Sequence, residues 1–210
     1  MNKEQVKKLD FLENYKNLNQ NSIVLDLGAN IGDVSDFIFR RYNCNIFAYE
    51  PNIVCYNYMK QRFIDNQKIR IINSAVSNYS GEAFLYFHYD SKGNNDTRYI
   101  QGATLRKDKD NVDINKRINV KIVNIKDIVD TFTKIDLIKI DIEGSEYKVI
   151  PELVKNKKKI TKVLCELHGN PNGKKINGRH KNINFTTEYE NLVFELKKQG
   201  LYNNWFYEWH

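Results

Sequence analysis

The chain has 210 residues, 41% hydrophobic and 28% charged, a composition that lets one globular domain bury a sizeable core. No apolar run reaches bilayer length, and the opening MNKEQVKKLD is charged where a secretory leader would be apolar, so a cytoplasmic chain without a membrane span is expected. A formal charge of +7 admits polyanions as partners, from nucleic acid to nucleotide-linked small molecules, although solvated surface lysine explains it as well. Cys44, Cys55 and Cys165 are far apart and form no CxxC pair, which reads as three free thiols.

The pattern predicts a single domain over 1–210. An N-terminal helix occupies 1–20, with Val6, Leu9, Leu12 and Tyr15 at three-residue steps. SIVLDLG (22–28) is a continuous apolar run closed by glycine, as in a strand buried on both faces. A helix over 34–42, a strand over 45–50, a helix over 53–66 and a strand over 68–76 follow. After a strand or hairpin arm at 82–90 comes a long polar segment reaching residue 117. Such a loop inside a domain is functional or disordered. Alternation resumes with strand 118–125, helix 126–132, strand 135–141, a helix beginning near Pro151 and strand 162–168. A polar loop (169–184), a helix over 187–199 ended by Gly200, and a strand-like tail complete the chain. Strands alternating with helices imply an α/β fold with a mostly parallel sheet.

VLDLGANIGD (24–33) places a strand, a tight glycine turn and a helix start in succession, where doubly wound folds hold nucleotide-type cofactors. Gly28 and Gly32 are present, but Asn30 stands at the middle glycine of GxGxxG and Asp33 at the last. A dinucleotide pyrophosphate is therefore a poor match. Asp26 adds negative charge at the strand tip, which favours a cationic cofactor such as S-adenosylmethionine. Glu50, ending the next strand, is placed to accept hydrogen bonds from both ribose hydroxyls. The bland competitor is an ordinary strand–turn–helix with a capping carboxylate.

LDLGANIGD, YEP, NSAVSNYSGE, GATL, IKIDIEGSE and CELH, in that order, resemble the FkbM-type S-adenosylmethionine-dependent methyltransferases over roughly residues 22–168. The resemblance implies a Rossmann-like class I methyltransferase fold and O-methylation of a hydroxyl, often on a sugar or secondary metabolite. By position it implies that Asp26, Gly28, Ala29, Asn30 and Gly32 line the methionine end. Glu50 and Pro51 would hold the ribose, and Asn73, Ser74 and Ala75 would lie near the adenine. The part after His168 lies outside the resemblance, and its tail is short for the two closing antiparallel strands usual in this class.

Alternation puts Lys139, Asp141 and Glu143 on one face of a strand, opposite Ile138, Ile140 and Ile142. In KVLCELH, Glu166 and His168 share a face, so neighbouring strands would gather Asp141, Glu143, Glu166 and His168 at the carboxyl rim. Three roles compete there. Asp141 touches cofactor or acceptor while His168 is the general base, assisted by Lys139 and Glu166. Alternatively, Asp141, Glu166 and His168 hold a divalent metal, or Glu143 merely caps the following turn and Lys139–Glu166 is a structural pair, leaving no base. As a mid-strand lysine, Lys139 is expected to meet a carboxylate, Asp141 or Glu166. The expected acceptor is a glycan or small molecule, with an RNA 2′-hydroxyl as the alternative and a non-catalytic cofactor-binding module as a third reading. Segments 90–117 and 169–184 are candidate lids.

Overall fold

A computed structural model of the chain describes residues 11–91, 102–169 and 185–209, with the backbone alone of two short strands, β9 (Lys175–Ile176) and β10 (Arg179–His180). The expected 1–20 helix is described only from residue 11, where 11–14 are helical and Leu12 is buried. Its first ten residues lie outside the described part, as do most of 169–184 and residues 92–101.

The main sheet has six strands in the order β11-β8-β7-β1-β2-β3, all parallel. They are β1 (Ile23–Leu27), β2 (Asn45–Tyr49), β3 (Ile69–Ile72), β7 (Leu137–Ile140), β8 (Val163–Glu166) and β11 (Phe206–Trp209). Helices α1 (Asp33–Tyr42) and α2 (Ile53–Arg62) pack Ile38 and Met59 onto one face, against Val24, Ile46, Leu137 and Leu164. Helices α3 (Ile125–Asp130), α4 (Glu146–Lys155) and α5 (Thr186–Lys198) cover the other, against Leu25, Leu27, Ile138 and Ile140. The neighbours Leu137 and Ile138 enter opposite layers because strand side chains alternate. Each fully buried side chain of this size contributes about 1.5–3 kcal/mol. Chain order reverses between β1 and β7, so the crevice at the carboxyl ends of these strands is the switch point of an open α/β sheet.

Three expectations change. The strand expected over 68–76 breaks at Asn73-Ser74, and β4 (Ala75–Ser77) leaves the main sheet to join a separate three-stranded one. The strand expected at 118–125 is the end of a longer one, β6 (Val112–Asn124), which pairs antiparallel with β5 (Gly81–His88). Cross-strand bonding to β5 overrides the polar composition that reads as loop. The helix expected near Pro151 begins at Glu146 and contains Pro151, its missing bond offset by buried Val149, Ile150 and Leu153. The tail is a strand as expected, parallel to β8 rather than one of an antiparallel closing pair. Gly200 ends α5 at φ 66°, and Leu201 N–H donates to the Leu196 carbonyl. No helix among the described residues is long and apolar enough to cross a membrane. All three cysteines are free and buried, and burial pushes Cys55 up to about 12.

Candidate active site

The loop after β1 turns through three left-handed residues, Gly28 (φ 77°), Asn30 (φ 52°) and Gly32 (φ 84°). Gly28 is required by close packing: a Cβ there would lie 1.9 Å from the carbonyl oxygen of Asp141, across β7. The loop is tied to β2, whose Tyr49 carbonyl accepts from Gly28 and Ala29 N–H. Glu50 at the β2 tip accepts from Asn30 N–H and Asn52 N–H, each at 2.8 Å, one on each oxygen. An ionised carboxylate has about four lone-pair sites, so both oxygens retain accepting capacity. Burial holds the Glu50 carboxyl up at about 7, against the partial opposition of those backbone donors. Asn73 Nδ2 donates to the Glu50 and Pro51 carbonyls, fixing the β3–β4 junction against the same tip.

Asp26 is fully buried and points under the loop rather than into the crevice. Its Oδ1 pairs with Lys139 Nζ at 3.0 Å and its Oδ2 accepts from Ser35 Oγ at 2.7 Å. Lys139 is the direct cross-strand partner of Asp26 and also donates to the Gly28 carbonyl at 2.7 Å. The expected partners were Asp141 or Glu166. Strand register decides otherwise, since β1 lies directly beside Lys139 on the same face.

Above the rim lies a cavity of about 570 Å³. Gly28, Ala29, Asn30, Glu50, Pro51, Ser74, Ala75, Lys139, Asp141 and Glu166 all border it, so the expected cofactor and rim residues largely converge. Gly32 lies one step behind, as N-cap of α1. The walls carry five carboxylates (Asp33, Glu50, Asp141, Glu143, Glu166) against two ammoniums (Lys109, Lys139), in a chain whose net charge is +7. Even with Asp33 paired to Arg62 at 2.6 Å, acid exceeds base inside. Such a cavity favours a cationic ligand over a polyanion.

The strand-end carboxylates separate. Glu166 Oε2 accepts from the Trp209 indole at 3.3 Å, which joins β8 to β11 at the cavity wall. His168, expected beside Glu166, lies past the end of β8 and turns to the loop after β7. Its Nε2 is 2.9 Å from Glu143 Oε2 and its Nδ1 is 3.1 Å from Glu146 Oε1. Burial opposes charge on the ring, but Glu143 and Glu146 outweigh it and hold the imidazole well above its usual range, as a cation. Glu146, not Glu143, is the capping carboxylate: its two oxygens accept from Ile142 N–H (3.0 Å) and Gly144 N–H (2.7 Å).

Glu143 instead sits at φ 56° and borders the cavity. Besides His168, it is held by two residues of the polar segment before β6. Lys109 Nζ lies 2.5 Å from Glu143 Oε2, and Thr104 Oγ1 donates to the Glu143 carbonyl at 2.5 Å. Thr104 belongs to GATL, which was visible; nothing local marks Lys109 out among the chain's many lysines. Arg106 clamps the same segment to Glu188 of α5 with two bonds of 2.9–3.0 Å and stacks over Phe185.

The described His, Cys, Asp and Glu side chains bring one metal-sized set together, Asp141, Glu143 and His168, with ligand atoms within 4.8 Å of one another. Glu166, expected in that set, is not in it. The donors do not fit a divalent cation. Both His168 nitrogens face carboxylates that favour the protonated ring, while Glu143 Oε2 already meets Lys109 and that ring. Ligation needs a neutral imidazole.

An open parallel sheet with an acidic, glycine-turned crevice at its switch point is the plan of the Rossmann-like methyltransferases. Residues 26–200 match the methyltransferase FkbM domain, and the chain belongs to that family. The match runs past His168, so most of the C-terminal part is family structure as well. A curated relative, methyltransferase sdnD of Sordaria araneosa, is 25% identical, over 67% of this chain and 66% of that protein. Solved structures overlap partially. An rRNA methylase from Streptococcus thermophilus (19% identity, 36% of this chain, 41% of that chain) has a TM-score of 0.31. A SAM-dependent methyltransferase from Thiobacillus denitrificans in complex with S-adenosyl-L-homocysteine (19% identity, 35% and 31%) also scores 0.31.

Proposed function

We propose that the chain acts, as a single domain, to transfer a methyl group from S-adenosylmethionine to a hydroxyl of a carbohydrate or related small molecule. The observation that carries this reading is the acidic cavity at the switch point of a basic chain, with Glu50 at the β2 tip. When bound, S-adenosylmethionine supplies an electrophilic methyl on a cationic sulphur. Gly28 to Asn30, Glu50, Ser74 and Ala75 line the cavity; there Glu50 would accept from ribose hydroxyls, and Ser74 and Ala75 would lie against the base. On the acceptor side, Asp141 and Glu166 offer hydrogen-bond acceptors and Trp209 an apolar ring, a combination that suits a sugar.

Calorimetry with S-adenosylmethionine and S-adenosylhomocysteine, followed by transfer of labelled methyl to pooled glycosides, sugar nucleotides and RNA, tests the reading. Binding of both, with label on a neutral hydroxyl, is expected; absent binding refutes it. The RNA 2′-O reading draws on the +7 charge. It predicts strongly salt-dependent RNA affinity, and the acidic rim disfavours a phosphate at the reacting centre.

A further inference from the structure

We propose that Glu143 is the side chain that takes the acceptor's hydroxyl proton, and that Lys109 is the residue that positions it. This rests on the O-methyl transfer reading above. A base must touch the acceptor; Asp141 and Glu166 border the cavity as Glu143 does, and exposure separates Glu143 from His168. The Glu143 side chain is 19% exposed and borders the cavity, whereas His168 is 1% exposed with each ring nitrogen against a carboxylate. His168 as a cation has no site for a further proton. Its place behind Glu143 makes it a support.

The support is built from three directions. Lys109 reaches from the segment before β6 and His168 from beyond β8, and both meet the same oxygen, Oε2, at 2.5 and 2.9 Å. Thr104 fixes the Glu143 carbonyl, and Lys109 is itself anchored on the Gly102 carbonyl at 3.0 Å. Oε1 lies on the other side, near Gly102, where a Cβ would approach it to 3.8 Å. The left-handed backbone of Glu143 is an unfavourable conformation for a residue with a Cβ, of order 1–2 kcal/mol. It persists because these contacts over-determine it, as strained residues at functional sites do.

Lys109 and His168 set two basic side chains against one oxygen of Glu143, and the proton transfer follows from the chemistry of the donor. As the acceptor oxygen forms its bond to the methyl carbon, the carbon–sulphur bond of the sulfonium donor breaks. Positive charge moves from sulphur to the oxygen, whose proton becomes strongly acidic. Glu143 takes that proton and releases it to solvent with the product, so one proton leaves for each methyl transferred. Lys109 and His168 together offset the negative charge of Glu143 and Glu146.

The test uses the full chain, tritiated S-adenosylmethionine and a pool of neutral glycosides and sugar nucleotides, with S-adenosylhomocysteine affinity measured by calorimetry alongside. Glu143→Gln is expected to lower kcat about 10²–10⁴-fold, with S-adenosylhomocysteine affinity within threefold of the parent. Lys109→Met should lower kcat with KM for the cofactor unchanged, and Lys109→Arg should restore most of it, which a purely structural lysine would not require of kcat alone. The assignment is overturned if Glu143→Gln turns over within threefold of the parent, or loses cofactor-product affinity in the same proportion as kcat. If S-adenosylhomocysteine binds but no hydroxyl in the pool is labelled, the O-transfer reading falls and takes this assignment with it.

Discussion

Lys139→Met isolates the contact on which the cofactor loop rests. In the parent, Lys139 Nζ lies 3.0 Å from Asp26 Oδ1, and the two side chains are 3% and 0% exposed. Removing the lysine strands a carboxylate in the sheet interior; breaking a buried pair this way typically destabilises by about 3–5 kcal/mol. The Gly28 carbonyl also loses its 2.7 Å donor, so the loop that walls the cavity loosens. For a chain of this size each kcal/mol corresponds to roughly 2–4 °C in Tm, giving a drop of about 6–20 °C. Adding Asp26→Asn keeps an acceptor for Ser35 but removes the stranded charge, so the double variant should recover about 1–3 kcal/mol relative to the sum of the single losses. Thermal melts of the four proteins at one pH, with S-adenosylhomocysteine calorimetry, measure both effects. A Lys139→Met melt within 2 °C of the parent, or a double variant as unstable as the summed singles, would refute the buried-pair account.

Glu50, at about 7 rather than its ordinary 4.5, is protonated more readily in the folded chain than in the unfolded one. Its contribution to stability is therefore present below about 4.5 and lost as pH rises through about 7, so the Tm of Glu50→Gln relative to the parent should increase between pH 5 and 8. Ribose hydroxyls donate to the ionised form, so parental affinity for S-adenosylhomocysteine should rise from pH 6 and level off above about 7, a trend that calorimetry should not find in Glu50→Gln. Gly28→Ala forces a Cβ to within 1.9 Å of the Asp141 carbonyl at φ 77°. Melts should show a loss of at least about 1–2 kcal/mol, together with weakened cofactor-product binding. Because Lys109 and His168 already neutralise Glu143, Mn²⁺ or Zn²⁺ should leave the Tm unchanged and EDTA should leave methyl transfer intact. A clear Tm increase with either ion would contradict this.

Much of the fold is legible in the chain because buried parallel strands leave continuous apolar runs, as in SIVLDLG and IDLIKID. Glu50, Gly28 and Asn30 are legible for the same local reason: each stands at a strand end or turn whose backbone demands it. Elements whose stability comes from a distant partner read less clearly. The first half of β6 has a loop's composition and is held by β5. The pairing of Lys139 with Asp26 depends on which strand lies beside β7, and periodicity within IDLIKID cannot supply that.

KIDIEGSEY shows the division within nine residues. By itself the sequence determined that a strand ends here in carboxylates at a ligand-bearing rim, because strand alternation and a following glycine are local properties. Only the tertiary structure decided their separate positions: Glu146 caps the turn and Glu143 faces the cavity. It also brought Lys109, 34 positions away in sequence, to Glu143. The physical reason is that a carboxylate's environment is set by the charges packed against it, and those arrive from elements that the local pattern does not connect.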